Sequence, residues 1–141
     1  MELRLATFDD AELLLIWRND AQTRASSRNK QEISKKEHEK WLKATLADSN
    51  RELYIAEINS IPVGTVRSDY DRQFYELSWT VAPEQRGKSI GKEMVSLITK
   101  KINKPVRAEV KKNNTASKRI AEYVGMSLMY EEEGILHFQR K

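Results

Sequence analysis

Between Gln85 and Lys92 the chain reads Gln-Arg-Gly-Lys-Ser-Ile-Gly-Lys, a run whose residue types suit an anion. Glycines at 87 and 91 let backbone come close to a ligand. Ile90, Met94, Leu97 and Ile98 follow at helical spacing, with Ile102 beyond, so a helix opens at this turn. The first N–H groups of a helix have no internal partner, and its dipole is positive at that end. Phosphate oxygens fit such a mouth, and Arg86, Lys88 and Lys92 surround it with charge. The segment just before, Phe74 to Val81, alternates. It places Tyr75, Leu77, Trp79 and Val81 on one face of a strand and Glu76, Ser78 and Thr80 on the other. Strand, glycine turn and helix start form either a pyrophosphate cradle or an ordinary β–α turn with solvated lysines.

Gln85-Arg86-Gly87-Lys88-Ser89-Ile90-Gly91 resembles the acetyl-CoA signature of the GNAT superfamily of N-acetyltransferases, Gln/Arg-x-x-Gly-x-Gly/Ala. Ser89 stands where that family usually has its middle glycine. Serine keeps the N–H but is less comfortable in a left-handed backbone. Downstream, Asn114-Thr115-Ala116-Ser117 followed by Gly125-Met126 resembles the family's Asn-x-x-Ser/Ala helix ending in Gly-Phe. The family often places an acid tyrosine seven residues after that asparagine. Here the position is Ala121, and Tyr123 falls on another face of the helix. Trp17-Arg18-Asn19-Asp20, Arg24 with Ser26 and Ser27, Ile33-Ser34 and Glu37-His38-x-x-Trp41 are similar to the branch that acetylates nucleotide-linked amino sugars in pseudaminic acid and related pathways.

The resemblance implies a single N-acetyltransferase domain over residues 1–141. Its fold is α/β, a central twisted mixed sheet of six to seven strands flanked by four helices. It implies acetyl-CoA as co-substrate, no metal, and direct transfer in a ternary complex. Thr80 and Val81 would pair with the pantetheine amides, and the Val81 N–H would polarise the thioester. Arg86, Gly87, Lys88, Ser89, Ile90, Gly91 and Lys92 would hold the pyrophosphate, and Asn114 and Ser117 the pantetheine end. For the base, Glu76 is preferred, since a carboxylate in a sheet-lined cleft has a raised pKa. His38 is the alternative. Water or Tyr130 would serve as the acid, and a thiol pKa of about 8.5 makes thiolate a tolerable leaving group anyway. Arg18, Asn19, Arg24, His38 and Trp41 would meet the acceptor, an amine on a small molecule such as a sugar nucleotide. Each has a plainer reading: solvated arginines, a helix-surface histidine, a core tryptophan, an exposed strand glutamate. A protein N-terminus is the rival acceptor. A homodimer is compatible with the pattern.

Composition narrows the classes. One chain of 141 residues is one domain with one real core. No apolar run approaches the ~18 residues of a membrane span, and the N-terminus lacks a secretory pattern. There is no cysteine and only His38 and His137, which excludes disulfides, thiol nucleophiles and histidine-rich metal clusters. A cytoplasmic location fits the absence of cysteine. Ala82 to Arg119 holds 11 Lys and Arg against three Asp and Glu, a net of +8 against +4 for the whole chain. Phosphates of coenzyme A would find that stretch attractive, as would nucleic acid. Aromatics are not interleaved with the basic run, which speaks against a nucleic-acid module. A non-catalytic acyl-CoA-binding protein is the remaining rival class.

In order, the spacing predicts a strand at Leu3–Leu5 and a helix capped by Asp9 with core Leu14, Leu15 and Trp17. Next come a polar loop over 21–30 and a helix from Ser34 to Ala47 burying Trp41, Leu42 and Leu46. A hairpin turning at Asn59-Ser60 joins 53–58 to 61–67, and 68–73 is a polar connection. After the central helix come a strand at 106–110, a helix capped by Asn113 or Asn114 and ended by Gly125, and strands at 126–130 and 135–140.

Overall fold

The computed structural model describes residues 1–141. Seven strands form one sheet in the order β1-β2-β3-β4-β5-β7-β6, with β1 Glu2–Leu5, β2 Arg51–Ile58, β3 Ile61–Tyr70, β4 Tyr75–Val81, β5 Val106–Lys111, β6 Ser127–Glu132 and β7 Ile135–Arg140. All neighbours run antiparallel except β4 and β5, which the helix α4 (Ile90–Lys101) joins as a parallel crossover. α1 (Ala11–Asn19), α2 (Ala21–Ala25) and α3 (Lys35–Ala47) precede β2, and α5 (Thr115–Tyr123) links β5 to β6. The fold is the expected mixed sheet with helices on both faces, with five helices where four were expected.

The sheet is covered on each side because its middle strands are apolar on both faces. Along β2, Leu53 and Ile55 pack with Leu14, Trp17 and Leu42 of α1 and α3. Their neighbours Tyr54 and Ala56 pack with Ile90, Met94, Val95 and Ile98 of α4. Ile120 and Ala121 of α5, with Leu136 and Phe138 of β7, complete that larger core.

Four local expectations need correction. Thr7, not Asp9, opens the first helical segment: its hydroxyl accepts from the Asp9 N–H, and the Asp10 carboxylate accepts from the Thr7 N–H at 2.8 Å. The reciprocal pair is Thr7 with Asp10, so the box begins two residues earlier. The stretch after Asn19 is not all loop. Asp20 caps the single turn α2 by accepting from the Thr23 N–H at 3.1 Å, a polar stabilisation that apolar periodicity does not register. On α3 the buried residues are His38, Leu42 and Thr45, an i, i+4, i+7 stripe, while Trp41 and Leu46 are exposed. Finally, β3 continues through Tyr70, because Asp69 and Tyr70 pair with Glu76 and Tyr75.

The turn chemistry follows expectation. Asn59 and Ser60 both take positive φ, 53° and 65°, between β2 and β3. Gly125 at φ 89° ends α5, with its N–H on the Glu122 carbonyl and the Met126 N–H on the Ala121 carbonyl, both at 3.0 Å.

Candidate active site

β4 and β5 are joined by only two residue pairs, Tyr75 with Val106 and Glu76 with Arg107. Both lie at the strands' N-terminal ends. Beyond them β4 keeps β3 as its partner up to Val81, and β5 keeps β7 up to Lys111. The two strands therefore part, and main-chain groups that a continuous ladder would pair face a seam. Both strands run toward its open end, where β4 leads into the turn before α4 and β5 into the turn before α5.

On the α4 side of that opening the helix starts without a side-chain cap. Gly87 and Ser89 are left-handed, at φ 80° and 61°. Ser89 is the residue before α4, and no side chain caps the helix. The first of the α4 N–H groups to find a helical acceptor is that of Glu93, on the Ser89 carbonyl at 3.3 Å, so those of Ile90, Gly91 and Lys92 precede the ladder. A serine in the left-handed region is strained by about 1–2 kcal/mol relative to glycine.

The two glycines do different work. A Cβ on Gly87 would meet nothing within 4 Å, so its role is conformational. A Cβ on Gly91 would lie 2.5 Å from Ile120 Cδ1 and 3.4 Å from Val81 Cγ2. Gly91 thus permits α4 to close on α5 and β4, while its N–H stays at the open mouth of the helix.

The basic side chains are less free than the sequence suggests. Arg86 turns away from the helix mouth and donates to Asp20 Oδ2 at 2.6 Å, Thr23 Oγ1 at 3.1 Å and Gln22 Oε1 at 3.2 Å. Its guanidinium holds the Asp20 carboxyl below the usual carboxylate range. Lys92 lies over the exposed Tyr123 ring at 5.4 Å, and Lys88 reaches Gln85 Oε1 at 3.4 Å. On the β5 side, Asn114 caps α5 by accepting from the Ser117 N–H at 3.1 Å. The Ser117 hydroxyl accepts from Trp79 Nε1 at 3.2 Å, tying β4 to α5 across the seam.

The other sheet face carries the acceptor candidates. Cross-strand neighbours there are Thr65 with Thr80, Arg67 with Ser78, and Asp69 with Glu76. Arg67 lies 5.5 Å from the Trp41 ring of α3. On the far side, Arg28 ion-pairs with Glu109 of β5 at 2.5 Å and Lys111 donates to the Ala25 carbonyl at 3.0 Å, so α2 and the loop after it lie over β5. Between these covers Arg67, Ser78 and Thr80 are half-buried.

The remaining residues that the sequence nominates make contacts of their own. Glu76 accepts from Arg107 Nε at 3.1 Å where the strands are still joined. Asn19 bonds the Ile33 backbone with both ends of its amide, at 2.8 and 2.9 Å, closing the loop that follows α2. Arg24 donates to the Asn19 and Lys30 carbonyls. Arg18 uses one nitrogen on the Asn29 carbonyl and leaves Nη1 buried without a partner. His38 is buried between α1 and α3, stacked on Trp41 at 5.8 Å, with Nε2 unpartnered. Burial pushes its pKa down from the usual histidine range by disfavouring the charged ring. Tyr130 is on the outermost strand, stacked on His137 at 4.2 Å, with β7 between it and β5. That position is remote from the seam. Arg67 and Ser78 were not nominated. Their facing register across β3 and β4 was the only signal, and it appears only once those strands are paired.

Residues 1–127 match the family model described as an acetyltransferase (GNAT) domain. No curated protein matches the sequence. Among solved structures, a domain from Methanocaldococcus jannaschii DSM 2661 superposes with a TM-score of 0.87 at 24% identity, over 99% of this chain and 96% of that one. Ribosomal-protein-alanine N-acetyltransferase from Brucella melitensis gives 0.80 at 22%, over 99% of both chains. The structure of yncA from Salmonella typhimurium with its cofactor acetyl-CoA gives 0.81 at 20%, over 100% of this chain and 93% of that one. These likenesses are of fold.

Proposed function

The chain belongs to the GNAT acetyltransferase family, and on that premise we propose that it moves an acetyl group from acetyl-CoA, seated in the seam between β4 and β5, to a primary amine of an anionic small molecule. The parted strands carry the reading. Unpaired main-chain groups along Leu77–Val81 suit the amides of a pantetheine arm, and the uncapped mouth of α4 suits the pyrophosphate at its end. The yncA structure, of the same fold, was solved with acetyl-CoA.

The acceptor enters over Arg67, Ser78 and Thr80, beneath Trp41 on one side and α2 on the other. On that side of the sheet Arg28, Arg67 and Arg107 are paired with Glu109, Asp69, Asp71 and Glu76, and Arg18, with one nitrogen unpartnered, and Lys111 are the cations left for a negative group, which would fit a nucleotide-linked amino sugar. The amine passes its proton through water on the polar strip of β4 to Glu76, which Arg107 holds in place. The Val81 N–H bonds the thioester oxygen as it gains charge. The thiolate leaves to water, since coenzyme A thiol has a pKa near that of a free thiol, about 8.5.

Thiol release with a panel of amines tests this directly. Amines carrying a phosphate or diphosphate should have the highest kcat/KM, and Glu76→Gln should lower it by ~10²–10⁴. His38→Gln should not. A panel in which only peptide N-termini react would select the second reading, favoured by the match over both full lengths to the ribosomal-protein-alanine enzyme. Calorimetry that shows no binding of coenzyme A by folded protein would refute both.

A further inference from the structure

Resting on the reading that acetyl-CoA occupies the seam between β4 and β5, we propose that Lys111 is an acetyl acceptor within the chain itself: when no amine substrate is bound, its Nζ takes the acetyl group. The parallel register fixes the position. Its last rung pairs Glu76 with Arg107. Side chains on one face of a strand recur at every second residue. Ser78 and Thr80 therefore continue from Glu76, and Glu109 and Lys111 from Arg107. Counting from that rung, 76 to 80 and 107 to 111, Thr80 and Lys111 stand at the same level on the same face, across the parted strands. Thr80 adjoins Val81, whose N–H is assigned to the thioester oxygen. Lys111 is the one lysine in either strand, and it reaches that level on the side from which an amine enters.

The surroundings favour a reactive amine. Nζ donates to the Ala25 carbonyl at 3.0 Å, which steadies it under the end of α2. It has no carboxylate partner, because Glu109, the acid on the same face of β5, is taken by Arg28. Burial, and then the neighbouring Lys30 charge, disfavour the ammonium and push its pKa down from the usual lysine range. A neutral amine is what attack on a thioester requires. Nζ attacks the carbonyl carbon, the N–C bond forms and the C–S bond breaks. Coenzyme A leaves as thiolate and takes the surplus proton of the nitrogen through water. The amide is a stable end product and no step in transfer to another amine. It keeps one N–H for Ala25 but loses the charge, so the modified chain holds anionic acceptors less well. A bound amine substrate intercepts the acetyl group, and the mark accumulates only when acceptor is scarce.

The full chain incubated with acetyl-CoA alone, mapped by peptide mass spectrometry with thiol release followed in parallel, tests this. Lys111 should gain an acetyl group at least about tenfold faster than Lys30 and Lys112, because its amine is held beside the thioester. The rate constant should not change with protein concentration, and chain unfolded in urea should lose the preference. Lys111→Arg should bind coenzyme A in calorimetry but release no thiol without an added amine. Acetylation spread evenly over the three lysines, a rate that rises with protein concentration, or equal thiol release by Lys111→Arg would each overturn the proposal while leaving the transferase reading intact. A folded chain that binds no coenzyme A would remove both.

Discussion

Ser89 and Gly91 sit two residues apart and should respond oppositely to small changes. Ser89 is left-handed, so Ser89→Gly should raise unfolding free energy by about 1 kcal/mol in a urea titration while leaving coenzyme A affinity intact. Gly91→Ala places a methyl 2.5 Å from Ile120 Cδ1 and should lower it by ~1–3 kcal/mol. His38 is a third case. Its folded pKa lies below 6.5 because burial disfavours the charged ring, with Arg18 adding to that and the Ala11 carbonyl and Glu39 opposing it. The unfolded chain therefore takes up the proton first as pH falls, so His38 is without penalty well above pH 6.5 and erodes stability below it. Melting temperatures of wild type and His38→Gln, compared at pH 7.5 and 5.5, should show wild type losing more on acidification.

At the level of elements, α2 depends on a partner far along the chain. Asp20 caps it and also holds Arg86, so the turn before α4 and α2 are one bonded unit. Asp20→Ala should remove about 1 kcal/mol of local capping and speed amide exchange in both 21–25 and 86–89. Exchange confined to 21–25 would show that the link carries nothing. This element was also the hardest to read from sequence. Five residues without apolar spacing look like loop, and besides the local Asp20 cap they are tied down by Arg86, 66 residues beyond Asp20. By contrast α4, β4 and the Gly125 cap were legible because their signals are local: a period, an alternation, a glycine past a helix end. Trp41 misled because its apolar character outweighed the stripe of His38, Leu42 and Thr45, in which only one member is apolar. The uncapped turn into α4 was legible in position, but the pairing of Arg86 with Asp20 was not.

Across the whole molecule, acetyl-CoA should act on stability through the seam. At 100 times its Kd a ligand that binds only folded protein adds about 2.7 kcal/mol, and the matching rise in melting temperature should vanish in a variant whose α4 mouth cannot bind. The seam also has a mechanical side. Two rungs beside Tyr75 and Glu76 make β4 and β5 a pair of tweezers hinged at one end. A carrier seated between the tips would bridge them, and its release would have to break those bonds. Turnover would then be paced by that release more than by bond-making, and kcat should fall as glycerol or sucrose thickens the solvent.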